Sequence, residues 1–171
     1  GIPIEALVKR QTNRRVDARF ESTRRRLGVH TIDLDEAPRK VPRALRAGRV
    51  IGMVADQDAG EGGVSVPFFG RPASAHRGPA LFALRLGTPV FASAMHRLPG
   101  PGLAYEGTME RVPVERTGDL EADVRRLTAE LAARLEAAVR KAPEQYFWFH
   151  RRWKSSPLKE HASGVTSTSS L

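Results

Sequence analysis

From residue 119 to residue 142 the chain repeats apolar residues at steps of three and four: Leu120, Val124, Leu127, Leu131, Leu135 and Val139. That spacing collects them on one side of an α-helix and leaves charged residues on the other. Asp119 can cap the first turn, Glu121 and Asp123 sit at its positive end, and Pro143 stops it. Glu121 with Arg125, and Glu136 with Arg140, are i, i+4 pairs of the favourable order. A helix with one apolar stripe must lay it on something. The other apolar runs have the length of strands, so the helix is expected to lie on a sheet.

Those runs alternate with helical patterns. Residues 2–8 predict a strand, 13–27 a helix stopped at Gly28, and 29–32 a short strand. Residues 38–47 predict a second helix, with Val41 and Leu45 four apart and Gly48 as its stop. The run 50–55 reads as a buried strand, 81–86 as a helix ended by Gly87, and 89–95 as a second buried strand. His96 follows that strand and is read as a satisfied surface histidine. Residues 103–112 alternate as a strand and return as a hairpin across the Pro/Gly turn at 98–102. The expected fold is α/β: a mixed, mostly parallel sheet with helices on both faces and the 50–55 strand at its centre. Residues 1–157 make one domain, and the polar stretch 158–171 a disordered tail.

Charge narrows the partners. The chain carries 28 Lys+Arg against 19 Asp+Glu, a formal charge of +9, which suits nucleic acid or an anionic membrane surface. The densest patch is helix 13–27, with Val16, Phe20 and Leu27 on one side and Arg14, Arg15, Arg19, Arg24, Arg25 and Arg26 elsewhere. A solvated basic face is the plain alternative. Cysteine is absent, which excludes disulfides and thiolate metal sites. No stretch approaches the roughly 20 apolar residues of a membrane-spanning helix.

Chemistry-bearing residues gather after the 50–55 run. Asp56, Gln57 and Asp58 follow at the strand's carboxyl end, where ligands bind in open α/β sheets. A glycine-rich turn from Gly60 to Gly63 leads into Val66-Pro67-Phe68-Phe69-Gly70, and Gly78-Pro79-Ala80 opens the next helix. Acidic residues after strands also cap helices, and paired aromatics also fill cores, so spacing alone leaves both readings open. Further on, Pro143-Glu-Gln-Tyr-Phe-Trp-Phe-His-Arg-Arg-Trp-Lys154 holds both tryptophans, a histidine and an arginine pair. As a helix it would put Tyr146, Phe149 and Trp153 on one face and stack Arg152 on Trp148. Aromatic and basic residues interleaved in this way suit nucleic acid or a lipid interface.

Taken in order, the Asp-Gln pair, Val-Pro-Phe-Phe-Gly and the Gly-Pro-Ala helix start resemble the second half of the lipid A late acyltransferases. These are bacterial lauroyl and myristoyl transferases, similar to the phosphatidylinositol mannoside acyltransferases. The string 143–154 resembles that family's ending, Pro-Glu-Gln-Tyr-x-Trp-x-His-Arg-Arg-x-Lys, almost residue for residue. The resemblance covers residues 2–157. It implies a glycerolipid-acyltransferase-like fold at the cytoplasmic face of the bacterial inner membrane. The implied reaction moves a fatty acyl chain from acyl carrier protein or coenzyme A to a hydroxyl of a phosphorylated glycolipid, above all a lipid A precursor. It implies no metal, no cofactor and no nucleic-acid partner.

Carried onto this sequence, the resemblance implies Asp56 and Gln57 in the catalytic centre, as a polar scaffold rather than a proton carrier. It implies Arg24 and Arg26 at the substrate, Phe68 and Phe69 beside the acyl groove, and His150, Arg151 and Arg152 positioning the final segment or meeting lipid phosphates. The family's base is the histidine of a His-x4-Asp/Glu motif that lies upstream of all these strings. His30 and Asp35 meet the spacing, yet they follow the arginine helix and lack the family's preceding asparagine, so they are read as coincidence. The expectation is the C-terminal part of an acyltransferase, without base or hydrophobic anchor and inactive alone. Competing readings are a basic nucleic-acid-binding module, built on residues 14–26 and 148–154, and a lipid-binding relative without catalysis.

Overall fold

The structure is a computed structural model and describes residues 3–156. The tail expected at 158–171 lies outside the described residues. The chain forms two compact units. One runs to Val54 and takes in Arg85–Thr88; the other comprises Ala55–Leu84 and the chain from Pro89 onward.

In the first unit β1 (Ile4–Val8) lies between β2 (His30–Asp33) and β3 (Val50–Met53) and is parallel to both. Leu7 stands opposite Ile32 on one side and Met53 on the other. Parallel neighbours need long crossovers, and α1 (Arg14–Arg26) and α2 (Ala37–Arg46) supply them. Asn13 caps α1, its Oδ1 accepting the N–H groups of Arg15 and Val16 at 3.0 and 3.4 Å. From α2, Ala37, Val41 and Ala44 are buried, as is Ile32 of β2, whereas α1 buries no residue.

The parallel pairing agrees with the alternating sequence pattern, but the place of β3 does not. Expected at the centre and buried, it is the edge strand of this sheet, and Val54 just beyond it is 86% exposed. An apolar run announces a strand; the number of its neighbours is set by pairing order, which alternation leaves free. The observed order β2-β1-β3 reverses direction between β1 and β3. In open sheets ligands gather at the carboxyl ends beside such a reversal. The chain leaves β3 there and enters Asp56 within three residues.

The second unit contains two antiparallel hairpins, β4 (Val64–Phe68) with β5 (Arg71–Ala75), and β6 (Val90–Arg97) with β7 (Tyr105–Val112). One mostly parallel sheet was expected; the described residues hold a three-stranded parallel sheet and two two-stranded hairpins instead. Loop length is the reason. Residues 69–70 and 98–104 are too few for a parallel crossover of about a dozen residues, so each strand folds back on its predecessor. Residues 64–75, for which no strand was expected, are a hairpin whose turn residues Phe69 and Gly70 have φ of 51° and 72°. Two left-handed residues in a two-residue turn match the right-handed twist of the strands.

From α3 (Gly78–Leu86), Ala80, Ala83 and Leu84 pack with Val112 of β7 and with Val124 and Leu127 of α4 (Leu120–Lys141). Ala132 of α4 meets Val66 and Ala75 of the first hairpin. The stripe of α4 therefore lies on β4 and β6, as its periodicity requires. Asp119 caps it, accepting the N–H groups of Glu121 and Ala122 at 3.0 and 3.1 Å. The Glu136–Arg140 pair forms at 2.6 Å, while Glu121 takes Arg77 at 2.6 Å rather than Arg125. His96 is half-buried, and its Nε2–H donates to the Ala138 carbonyl at 3.0 Å. The strand 89–95 is half-buried in alternation rather than buried throughout, with Phe91 and Met95 exposed.

Candidate functional site

Beyond β3 the backbone of residues 55–63 is irregular, and it is fastened from two sides. Within the loop, Asp58 Oδ1 accepts the Gly60 N–H at 3.0 Å. The Ser74 hydroxyl of β5 donates to the Gly60 carbonyl at 2.6 Å. From the end of the chain, the Tyr146 hydroxyl donates to the Asp56 carbonyl at 2.9 Å and the Ser155 N–H to Asp58 Oδ2 at 3.2 Å. Arg152 Nη1 donates to the Ser74 carbonyl at 2.7 Å, and the Ser156 hydroxyl to the Pro72 carbonyl at 2.8 Å. Partners 78 to 97 residues apart are thereby locked together. Gly63 makes the fit possible. A Cβ there would lie 2.0 Å from Ser74 Oγ and 2.8 Å from Ala59 Cβ.

Aromatic rings fill the joint. Phe68 is fully buried, with the rings of Trp153 and Tyr146 at 6.0 and 6.3 Å and the Arg152 guanidinium over its face at 4.9 Å. Phe69 is half-buried, its ring edge-to-face with Phe68 at 4.9 Å, 5.9 Å from Trp148 and 4.7 Å beneath the Arg140 guanidinium. Its left-handed backbone is unfavourable for a bulky residue. Glu136 of α4 holds it there, Oε2 accepting the Phe69 N–H at 2.6 Å.

The charges respond to this enclosure. Burial pushes the Tyr146 phenol up to about 12, helped by Asp56, so it remains a hydrogen-bond donor at neutral pH. Burial would also raise Asp58, but hydrogen bonds from Ser155 and Gly60 and the field of Arg152 hold it below the usual carboxylate value. His76 is exposed at the rim of the joint, and desolvation of its ring and then Arg152 lower it, against the pull of Asp56 and Asp58. Asp56 Oδ1, Arg152 Nε and Trp153 Nε1 are buried without a hydrogen-bond partner among the described residues. Most buried polar atoms have one; the others without one among the described residues are Arg77 Nε, Thr128 Oγ1 and Arg134 Nε, so half of this unused polar capacity lies in the joint. No group of three or more metal-ligating side chains occurs among the described residues.

The two strings singled out in the sequence thus meet. Asp56 is half-buried and Gln57 exposed; Arg152 is buried, His150 half-buried and Arg151 exposed. His150 Nδ1 donates to the Phe147 carbonyl at 2.5 Å, and Nε2 lies 3.3 Å from the Tyr146 oxygen. Arg24 and Arg26 belong to the other unit. Arg24 stacks over Phe20 at 5.6 Å, and Arg26 borders an open depression with Ala18, Glu21, Ser22 and Arg25. His30 and Asp35 are both exposed and share no hydrogen bond among the described residues.

One expected arrangement fails. Past the 3-10 turn Pro143–Gln145 the final segment is not helical, and its N–H groups at Trp148 and Arg152 bond two residues back. Tyr146 and Trp153 therefore flank Phe68, Phe149 is 92% exposed, and Arg152 stacks on Phe68 instead of Trp148. Long-range hydrogen bonds to Asp56, Asp58 and Ser74 outweigh the local helical option. Sequence reasoning placed Asp58 in the polar cluster and Gly63 in the glycine-rich turn without giving either a site role, and it passed over Ser74, His76 and Ser155. Only Asp58 and His76 carried a chemical signal; the others act through partners remote in the chain.

Set against models of known families, residues 3–155 match the one described as bacterial lipid A biosynthesis acyltransferase. The matched region includes both strings that meet in the joint. A search among curated proteins finds no match. No helix of the described residues is long and apolar enough to cross a membrane.

Proposed function

The chain belongs to the bacterial lipid A biosynthesis acyltransferase family, and from that premise we propose that it transfers a fatty acyl chain from acyl carrier protein or coenzyme A to a hydroxyl of a phosphorylated membrane glycolipid. The acceptor is a lipid A precursor, met at the cytoplasmic face of the bacterial inner membrane. In the reaction the acceptor oxygen attacks the thioester carbon, the C–S bond breaks, the thiol group leaves and the hydroxyl proton passes to a base. Fixed donors must steady the oxyanion formed on the way.

The observation that carries this reading is the fastening of Asp56 and Asp58 to Tyr146 and Ser155. Transfer between two large substrates depends on preorganised polar groups, and a misplacement of about 1 Å can cost about a hundredfold. Asp56 and Gln57 serve that scaffold at the mouth of the loop. Phe69, the member of the aromatic pair with open surface, borders the acyl chain, while Phe68 supports it from the core. Arg24, Arg26 and Arg151 take phosphate groups; His150 and Arg152 hold the segment in place. Tyr146 is too basic to ionise and acts as a donor. The base is not His30, which has no carboxylate hydrogen-bonded to it among the described residues.

The test is transfer of labelled acyl groups, from both donors, to a phosphorylated glycolipid by the polypeptide as its gene encodes it. Asp56→Ala should lower turnover more than tenfold without lowering the unfolding temperature. His30→Ala should leave turnover unchanged. Full activity in Asp56→Ala, or no glycolipid acylation from either donor, rejects the reading.

A further inference from the structure

Helix α1 is turned the wrong way for an ordinary surface helix. Such a helix presents its apolar stripe to the sheet. Here the polar Glu21 faces β2, its Oε2 accepting the Thr31 hydroxyl at 2.8 Å. Val16, Phe20 and Leu27 are 41%, 48% and 74% exposed. At the helical step these three fall within about 40° of arc. Arg15, Arg19 and Arg26 flank the stripe on one side and Arg24 on the other. The ion pairs of this unit use Arg10, Arg25, Arg39, Lys40 and Arg49. The four flanking arginines therefore have no carboxylate partner among the described residues.

We propose that α1 is a membrane-docking helix, whose Val16, Phe20 and Leu27 enter the headgroup region of an anionic bilayer while the flanking arginines hold lipid phosphates. An amphipathic helix with a narrow apolar face and arginines at its borders lies in such an interface, charged heads directed outward. Charge selects this occupant over a second copy of the chain. The helix carries six arginines against two acidic residues, so two copies face to face would repel each other, while an anionic surface attracts. Nucleic acid would reward the arginines but leave the apolar stripe unused. The inference deepens the reading above, in which the acceptor is a membrane lipid, but its test involves no acyl transfer.

The test is sedimentation of the full chain with phosphatidylcholine vesicles, with and without phosphatidylglycerol. Binding should be at least tenfold tighter to the anionic vesicles and should weaken with salt. Replacing Phe20→Ser together with Leu27→Ser should weaken it at least tenfold with the circular dichroism unchanged, since neither side chain is buried. Arg15→Glu with Arg19→Glu should weaken it as much. Wild-type binding by the double serine variant overturns the proposal. So does self-association lost in that variant while vesicle affinity stays, or duplex nucleic acid bound more tightly than anionic vesicles. Absent acyl transfer with intact vesicle binding would reject the enzymatic reading and leave the docking helix standing; the converse would reject only the helix.

Discussion

At Gly63 a methyl group would overlap Ser74 Oγ and crowd Ala59 Cβ and the Ala75 carbonyl. Gly63→Ala should therefore lower stability by about 1–3 kcal/mol, the usual range for overpacking; an unshifted denaturant midpoint would show that the loop yields freely. Arg152 poses the opposite problem. Arg152→Met keeps the volume but strands the Ser74 carbonyl, and should cost about 1–3 kcal/mol. Arg152→Lys should do nearly as badly, because lysine keeps the charge but not the planar stack on Phe68. Acid should act in two steps. His76 has a lowered folded value, so the folded state resists its proton and stability falls as pH drops from about 6.5 toward that value. The stabilisation from Asp58 is present above about 4 and is lost as pH falls through its own depressed value. Midpoints measured against pH should lose the first step, and only that step, in His76→Gln.

Among elements, the tip of the first hairpin is tied to α4 by one hydrogen bond, while Val66 and Ala75 pack on Ala132 below it. The Phe69 N–H has Glu136 as its acceptor, and Arg140 both pairs with Glu136 and covers the Phe69 ring. Glu136→Ala should release the tip, seen as faster hydrogen exchange at the Phe69 amide with α4 retained; unchanged exchange would show that turn chemistry alone holds it. The same latch weakens in acid, since the Phe69 N–H and then Arg140 hold Glu136 below its ordinary value. Phe69→Ala bears on function. A shift in preferred acyl length supports the groove role, whereas lost stability with unchanged preference assigns the ring to packing.

For the molecule as a whole, burial is uneven. Of the sixteen buried apolar residues among those described, the first unit holds four: Ile32, Ala37, Val41 and Ala44. Local stability follows such burial. Backbone amides of β1 to β3 should therefore exchange faster than those of β6, β7 and α4. Equal protection in both units, measured by mass spectrometry, would contradict that ranking.

Much of this was legible without coordinates. The α4 stripe, its Asp119 cap, the βαβ alternation and the 89–112 hairpin are written in periodicity and spacing, because helix and strand periods act over a few residues. The family was legible for a related reason: ordered strings such as Asp56-Gln57 and the 143–154 ending survive as text. Tertiary structure alone decided the rest. Whether β3 is central or an edge depends on which strand β1 takes as neighbour, a choice no local pattern records. That Ser74, Gly63 and Ser155 serve the same joint as Asp56 depends on hydrogen bonds that close only when residues far apart in the chain meet. And α1, amphipathic in sequence, could be assigned a buried or an exposed stripe only once Glu21 was found facing Thr31, since a helical period fixes which residues share a face but not what that face meets.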